Sequence, residues 1–439
     1  MFNLTFKNTN NTETSHLTWC QSNINYFSIV NAFPNNVFCT WLHNKGEQLY
    51  VCTPQNQLNM LDELLTLINS SIRQCNTLFT SIFLENFLTW QISYSGSPRT
   101  ICDIKFIANL PENDEYDELK DLIYQHCSQG RERLIIEKLT ELGIYACISS
   151  IVADDDENNI AKKLRKLINK QGECKVSLNY FGIFADFNEF MTMCSSTFSY
   201  DKFTRNQAGW GAYQFIDSIE NTICPYCNRS YTHSVFENGE CSGRPELDHF
   251  LPKSIFPFFA VSIYNLIPVC HTCNHAKLDA PVTEFVNNNF QFTHLHPNID
   301  SDNVINTTIF ETVNDGDIIE YLLNNNSSLS QKITLSSECT NQVKLTKSLS
   351  TYNLATVNEE NSALRGFYSH HYKDIERTLD MVKRYPTVAI DSIAELIGDN
   401  KEQLQKIFID VLISDAPHTE PLGKLKNDML VDVVDSWNS

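Results

Sequence analysis

The chain has 439 residues and a mass of 50.4 kDa, with 42% hydrophobic, 11% aromatic and 20% charged residues, a globular balance that argues against wholesale disorder. Lys plus Arg number 33 against 53 Asp plus Glu, a net charge of −20 and a pI near 5.0. This excludes a broad basic face for nucleic acid, so any such contact must be local, shared with a basic partner or assisted by metal ions. No stretch approaches the ~18 uninterrupted apolar residues of a membrane span. The opening Met1–Lys7 lacks the charged-then-apolar pattern of a signal peptide, so a cytoplasmic protein without membrane association is expected.

Residues 1–195 read as an α/β domain. Leu61, Leu64, Leu65 and Ile68 fall at the spacing of an amphipathic helix over Leu58–Cys75. Pro111, followed by Glu112, Asp114 and Glu115, marks a helix start, and a helix over Arg133–Leu142 stops at Gly143 before a strand at Ile144–Val152. The run Asp154-Asp155-Asp156-Glu157 opens another helix that turns basic toward Lys170. It is a helix start rather than a metal site, because consecutive acids on a helix point in different directions. No phosphate-binding glycine motif and no internal repeat occurs here, so a recognition or partner-binding role is expected.

Beyond residue 301 the chain reads as a hairpin plus helices. Asn306–Thr312 and Asp317–Leu323 flank Asn314-Asp315-Gly316, a hairpin signal, and helical patterns follow at Val357–Arg384, Thr387–Ile397 and Lys401–Ile413.

The informative segment lies between these two. The chain has 15 cysteines, an odd number with no disulfide-framework spacing; eleven are scattered singly and four form two Cys-x-x-Cys pairs. Cys224-Pro-Tyr-Cys227 and Cys270-His-Thr-Cys273 stand 42 residues apart. Each pair is a tight knuckle presenting two thiolates, and two knuckles complete the closed four-thiolate set of a structural Zn²⁺ site. Four unrelated buried cysteines, or a redox pair, fit less well, since no βαβ context surrounds either motif. Between the knuckles stand Asp248-His249 and Asn265, and Asn274 follows the second.

Taken together, "CPYCNRSY", "ELDHFLPKSIFPFFAVSIYNLIPVCHTCNHAK" and the late "PLGKLKNDM" resemble the zinc-stapled HNH endonucleases. More narrowly they are similar to bacterial HNH proteins of the Septu and retron-associated kind, which act in anti-phage defence beside an ATPase. The specific likeness covers Cys224–Lys277. It implies an α+β fold: a ββα-metal core with structural zinc (196–300) between the α/β N-terminal domain (1–195) and a mainly helical C-terminal domain (301–439). It also implies roles. His249 would be the general base, Asp248 and Asn274 the oxygen ligands of a catalytic Mg²⁺, and Asn265 a residue that fixes the His249 loop.

Asp248 and His249 are neighbours on a strand, so a bulge or irregular backbone is expected if both are to serve one phosphate. Lys277, on the helix face of Asn274, and Lys253, Arg229 and Arg244 are candidate phosphate contacts, with ordinary solvated cations as the alternative. His271 and His275 flank the second knuckle and could replace a zinc ligand, but four cysteines already complete the set; His294 and His296 are expected to be surface or structural rather than metal ligands. The apolar run Ile255–Val261 replaces the glycines of simpler HNH proteins and reads as core, or as a face for stacking bases or docking a partner. Even this segment is not basic: Asp201–Phe285 has 6 basic and 9 acidic residues. The expectation is a metal-dependent endonuclease acting on DNA, with RNA open, and needing a partner. A non-catalytic zinc module and a free-standing toxin nuclease are the competing readings.

Overall fold

The computed structural model describes residues 4–73, 105–109, 173–177, 182–206, 209–280, 282–286, 289–299, 308–312, 317–323, 333–351, 371–384 and 420–438, with a few isolated positions besides. The architecture is α+β, helices with small two-stranded antiparallel sheets. The chain opens with four helices, α1 (Thr9–Asn23), α2 (Phe27–Ala32), α3 (Val37–Lys45) and α4 (Pro54–Arg73). Local chemistry sets their starts. Asn8 caps α1 by accepting from Asn11 N–H, and Asn36 caps α3 by accepting from Phe38 N–H and Cys39 N–H. In α4 the stripe of Leu58, Leu61, Leu64 and Leu65 is buried, as its periodicity requires.

Strands β1 (Lys105–Asn109) and β2 (Glu173–Ser177) then pair antiparallel. Of the expected Arg133–Leu142 helix, Leu134, Glu137, Lys138 and Glu141 are helical. The helix start at Pro111, the strand at Ile144–Val152 and the helix from Asp154 lie outside the described residues. Helix α5 (Gly182–Thr197) carries the expected boundary at residue 195 inside it, and α6 (Tyr200–Arg205) and α7 (Ala212–Asp217) follow.

The central segment holds β3 (Val235–Glu237) paired with β4 (Glu240–Gly243), then β5 (Glu246–His249) paired with β6 (Leu266–Val269), then helix α8 (His271–Lys277). β7 (Thr283–Val286) and β8 (Asn289–Phe292) form a further hairpin. The N-terminal helices pack directly on this segment. Phe258 meets Trp41 of α3 and Phe190 of α5 at ring-centroid distances of 5.7 and 6.2 Å. Ser262 Oγ takes a hydrogen bond from Gln57 of α4, and Tyr264 donates to Glu13 of α1. One core therefore runs from the first helices through the central segment. The run Ile255–Val261 is buried within it, which removes it as a surface for stacking bases.

In the C-terminal part β9 (Phe310–Thr312) does not pair with Asp317–Leu323. That stretch is helix α9, and β9 pairs instead with β10 (Ile333–Leu335). The reason lies in the spacing Ile318, Tyr321, Leu322, which is helical, and in the Asp317 carboxylate, which accepts from Asn314 N–H at the helix entry. Helices α10 (Ser337–Thr340), α11 (Val343–Thr351) and α12 (Tyr372–Arg384) follow; the pattern before Tyr372, and nearly all of those at Thr387–Ile397 and Lys401–Ile413, lie outside the described residues. The last helix, α13 (Gly423–Asn438), returns to the first cysteine knuckle. Leu422 N–H donates to the Asn228 carbonyl at 2.6 Å and Lys424 N–H to Asn228 Oδ1. Asp428 on α13 also accepts from the Ile309 and Phe310 N–H groups at the start of β9.

Candidate metal centre and adjoining pocket

The two knuckles come together. The Sγ atoms of Cys224, Cys227, Cys270 and Cys273 all lie within 4.8 Å of one another, and Cys227 Sγ to Cys270 Sγ is 3.8 Å. A tetrahedron of ~2.3 Å zinc–sulfur bonds has edges of about 3.8 Å, so the cage has the size of a Zn²⁺ ion. Among the described residues this is the group of three or more His, Cys, Asp or Glu side chains close enough to share an ion. Hydrogen bonds from its three neighbours push the Cys270 thiol down, whereas burial pushes Cys224 up. Four thiolates packed this tightly need a cation to ionise together.

The knuckles are built by local backbone. Asn228, directly after Cys227, takes a positive φ of 49°, a turn conformation that asparagine tolerates well. At the second knuckle Cys270 is the extended N-cap of α8, which places Cys273 inward, one turn into the helix.

Next to the cage, β5, the loop that follows it and α8 border a pocket of about 310 Å³, whose lining includes Glu246, Asp248, His249, Lys253 and Asn274. The β5–β6 ladder runs without a register shift, so of the bulge or irregular backbone expected at Asp248-His249 the bulge is absent. His249 is instead the last residue of its strand, and the pocket wraps the strand end, where both neighbours line it.

His249 is buried, with its Nε2 2.9 Å from the Ala260 carbonyl. A carbonyl only accepts, so Nε2 carries the proton and Nδ1 is the basic nitrogen. Burial, reinforced by the positive charge of Lys253, pushes its pKa down to about 3. Tyr200 packs edge-on against the ring at 4.5 Å, and the Lys253 ammonium sits over the Tyr200 ring at 4.5 Å. Asn265 clamps the loop that follows His249: its Oδ1 accepts from Leu251 N–H, and its Nδ2 donates to the carbonyls of Leu251 and Phe259.

Asp248 is 4% exposed. Its Oδ2 accepts from the Tyr226 hydroxyl at 2.6 Å, and the Lys277 ammonium lies 3.1 Å from Oδ1 and 3.0 Å from Oδ2. Lys277, expected to reach substrate phosphate, is thus fully buried; its third bond goes to the His249 carbonyl at 2.8 Å. A lysine this deep is held by the carboxylate and carbonyl that surround it, not by solvent or substrate.

Asn274 lines the pocket and donates from Nδ2 to Glu246 Oε2 at 2.6 Å, while His271 Nδ1 meets Glu246 Oε1 at 2.6 Å. Burial would raise the Glu246 pKa, but these two hydrogen bonds outweigh it and hold the carboxyl below its usual value. Glu246 is the pocket residue that sequence reasoning missed. Its position two before Asp248, on the same face of β5, was the available signal.

Arg244 lines the pocket, whereas Arg229, half-buried behind the first knuckle, is not part of that lining. His271 and His275 are exposed on α8 beside the cage and supply none of its four ligands. His294 and His296 are buried structural histidines, the former bonded to Thr351 Oγ1 and the latter packed on Phe250. Among the described residues no helix is long and apolar enough to cross a membrane. Set against models of protein families, curated proteins and solved structures, the chain matches none of them.

Proposed function

We propose that this chain is a metal-dependent HNH endonuclease that hydrolyses phosphodiester bonds, DNA being the substrate that its likeness to the Septu and retron-associated proteins implies. By the same likeness it serves as the effector of an anti-phage system beside an ATPase. The observation that carries the reading is the meeting of Asp248, His249 and Asn274 in one pocket beside a four-cysteine cage.

The chemistry follows from the residues. His249 is neutral at pH 7, and its proton is committed to Ala260, so Nδ1 is the atom left to accept a proton from an attacking water. An anionic phosphodiester entering the pocket raises the basicity of that ring. Asp248 and Asn274 offer hard oxygen donors, with Glu246 alongside. Two or three such oxygens would suit a hard divalent cation such as Mg²⁺. Lys277 and Tyr226 occupy part of the Asp248 carboxylate, yet a carboxylate has about four lone-pair positions, and Oδ1 keeps one. When bound, the cation stabilises charge on the phosphate and on the leaving 3′-oxygen. Lys253 and Arg244 are the cations lining the pocket, few for a chain of net charge −20. Strong cleavage therefore requires a partner that delivers the nucleic acid.

The buried Lys277–Asp248 pair favours a second reading. A carboxylate already neutralised needs no metal, and the chain would then be a zinc module that positions a partner on nucleic acid. Plasmid cleavage in Mg²⁺, by the purified chain alone and with the product of the neighbouring gene, separates the two. The endonuclease reading requires cutting that EDTA stops and that His249→Ala abolishes with zinc content intact. Cutting retained in His249→Ala defeats it.

A further inference from the structure

Tyr226 is the third residue of the first cysteine knuckle, between Cys224 and Cys227, and it is 2% exposed. Its hydroxyl is directed at Asp248 Oδ2, 2.6 Å away and 22 residues further along the chain. The second knuckle reaches the same carboxylate by another route. Cys270 caps α8, Cys273 lies within it, Asn274 is the next residue, and Lys277 one turn on grips both Asp248 oxygens. Both oxygen donors assigned above to the divalent cation are thus tied to residues of the zinc cage: Asp248 through the Tyr226 hydroxyl, Asn274 through its peptide bond to Cys273.

We propose that Tyr226 is a positioning residue through which the zinc knuckle sets the orientation of Asp248 and hence the affinity of the divalent-cation site. The inference rests on the endonuclease reading and adds to it that the zinc cage tunes the second metal rather than only stapling the fold. The physical basis is the torsion of the carboxylate. Asp248 has two free side-chain torsions, and a charge-assisted hydrogen bond from a rigid, buried phenol fixes them. It leaves on Oδ1, beside the Lys277 contact, one lone-pair position for a ligand. Hydrogen bonds of this kind to metal-ligating groups change metal affinity by about 10–100-fold when removed.

The test uses the full zinc-loaded chain with Mn²⁺ as probe, its binding followed by calorimetry and by the electron paramagnetic resonance of free Mn²⁺. Tyr226→Phe should keep its zinc and melt within about 4 °C of wild type, because one hydrogen bond is lost without a cavity. Its Mn²⁺ dissociation constant should rise by about 10–100-fold. In an Asp248→Asn background the same substitution should have no further effect, since the coupling runs through that carboxylate. If Tyr226→Phe loses zinc, 3-fluorotyrosine at position 226 replaces it, keeping the hydroxyl while altering its donor strength. An altered Mn²⁺ affinity at full zinc content then supports the proposal. Equal Mn²⁺ affinity in wild type and variant overturns it and leaves the endonuclease reading standing. A wild-type chain that binds no Mn²⁺ at millimolar concentration overturns both.

Discussion

The imidazoles of His16 and His249 hold consecutive carbonyls of one loop, His16 Nε2 on Val261 at 2.7 Å and His249 Nε2 on Ala260 at 2.9 Å. The two histidines lie 233 positions apart in sequence, one on the first helix and one at the end of β5. His16 is fixed in turn by Trp210, whose indole N–H reaches its Nδ1 at 3.2 Å. The loop that orients the candidate base is therefore braced from the N-terminal helices, whose Glu13, His16, Trp41 and Gln57 contact the segment from Phe258 to Tyr264.

The zinc cage should govern folding. Metal analysis is expected to give about one Zn²⁺ per chain, and Cys270→Ser should lower both zinc content and melting temperature, because the binding free energy of a structural site is folding free energy. An unchanged melting curve after exhaustive chelation would contradict the cage's role.

Lys277 separates an internal countercharge from a substrate contact. Removing one partner of a buried ion pair costs about 3–5 kcal/mol. Lys277→Ala should therefore destabilise the protein strongly in urea titration, even without nucleic acid. A phosphate-binding lysine would behave differently, losing substrate affinity at undiminished stability.

Glu246 should act by orienting Asn274. Its Oε2 takes the Asn274 Nδ2 proton, which turns the amide oxygen away from Glu246. Glu246→Gln keeps an acceptor and should cleave within a few-fold of wild type, whereas Glu246→Ala should lose about 10–100-fold. Equal losses in the two variants would show that the charge itself is needed.

Stability should depend on pH through buried histidines. Burial pushes His16 down to about 4 and His296 to about 3, from an ordinary 6.5. As pH falls below 6.5 the unfolded chain takes up protons that the native state refuses, so stability is fully present above 6.5 and is lost as pH falls toward 4. Each such histidine contributes ~1.4 kcal/mol per pH unit in that window. Melting temperatures from pH 8 to pH 4.5 test this, and His16→Gln should flatten the slope; a midpoint constant between pH 7 and pH 5 would rule it out.

The local chemistry of this protein is written in its sequence. Two Cys-x-x-Cys knuckles announce a four-thiolate cage because a knuckle is a property of four consecutive residues, and the cage forms. The leucine stripe of α4 is legible for the same reason, since helical periodicity is local. The tertiary structure decided which groups meet each carboxylate. Lys277 could face solvent or core from its sequence position alone; the packing of α8 on β5 turns it inward onto Asp248. Glu246 and Tyr226 lie inside the quoted motifs, but their partners are set only where β5, α8 and the first knuckle converge. The partner of β9 was likewise decided by tertiary structure: with Asp317–Leu323 helical by its own spacing, β9 pairs with β10. A charged group's role is set by what neutralises it, and in a folded chain that neighbour comes from far along the sequence.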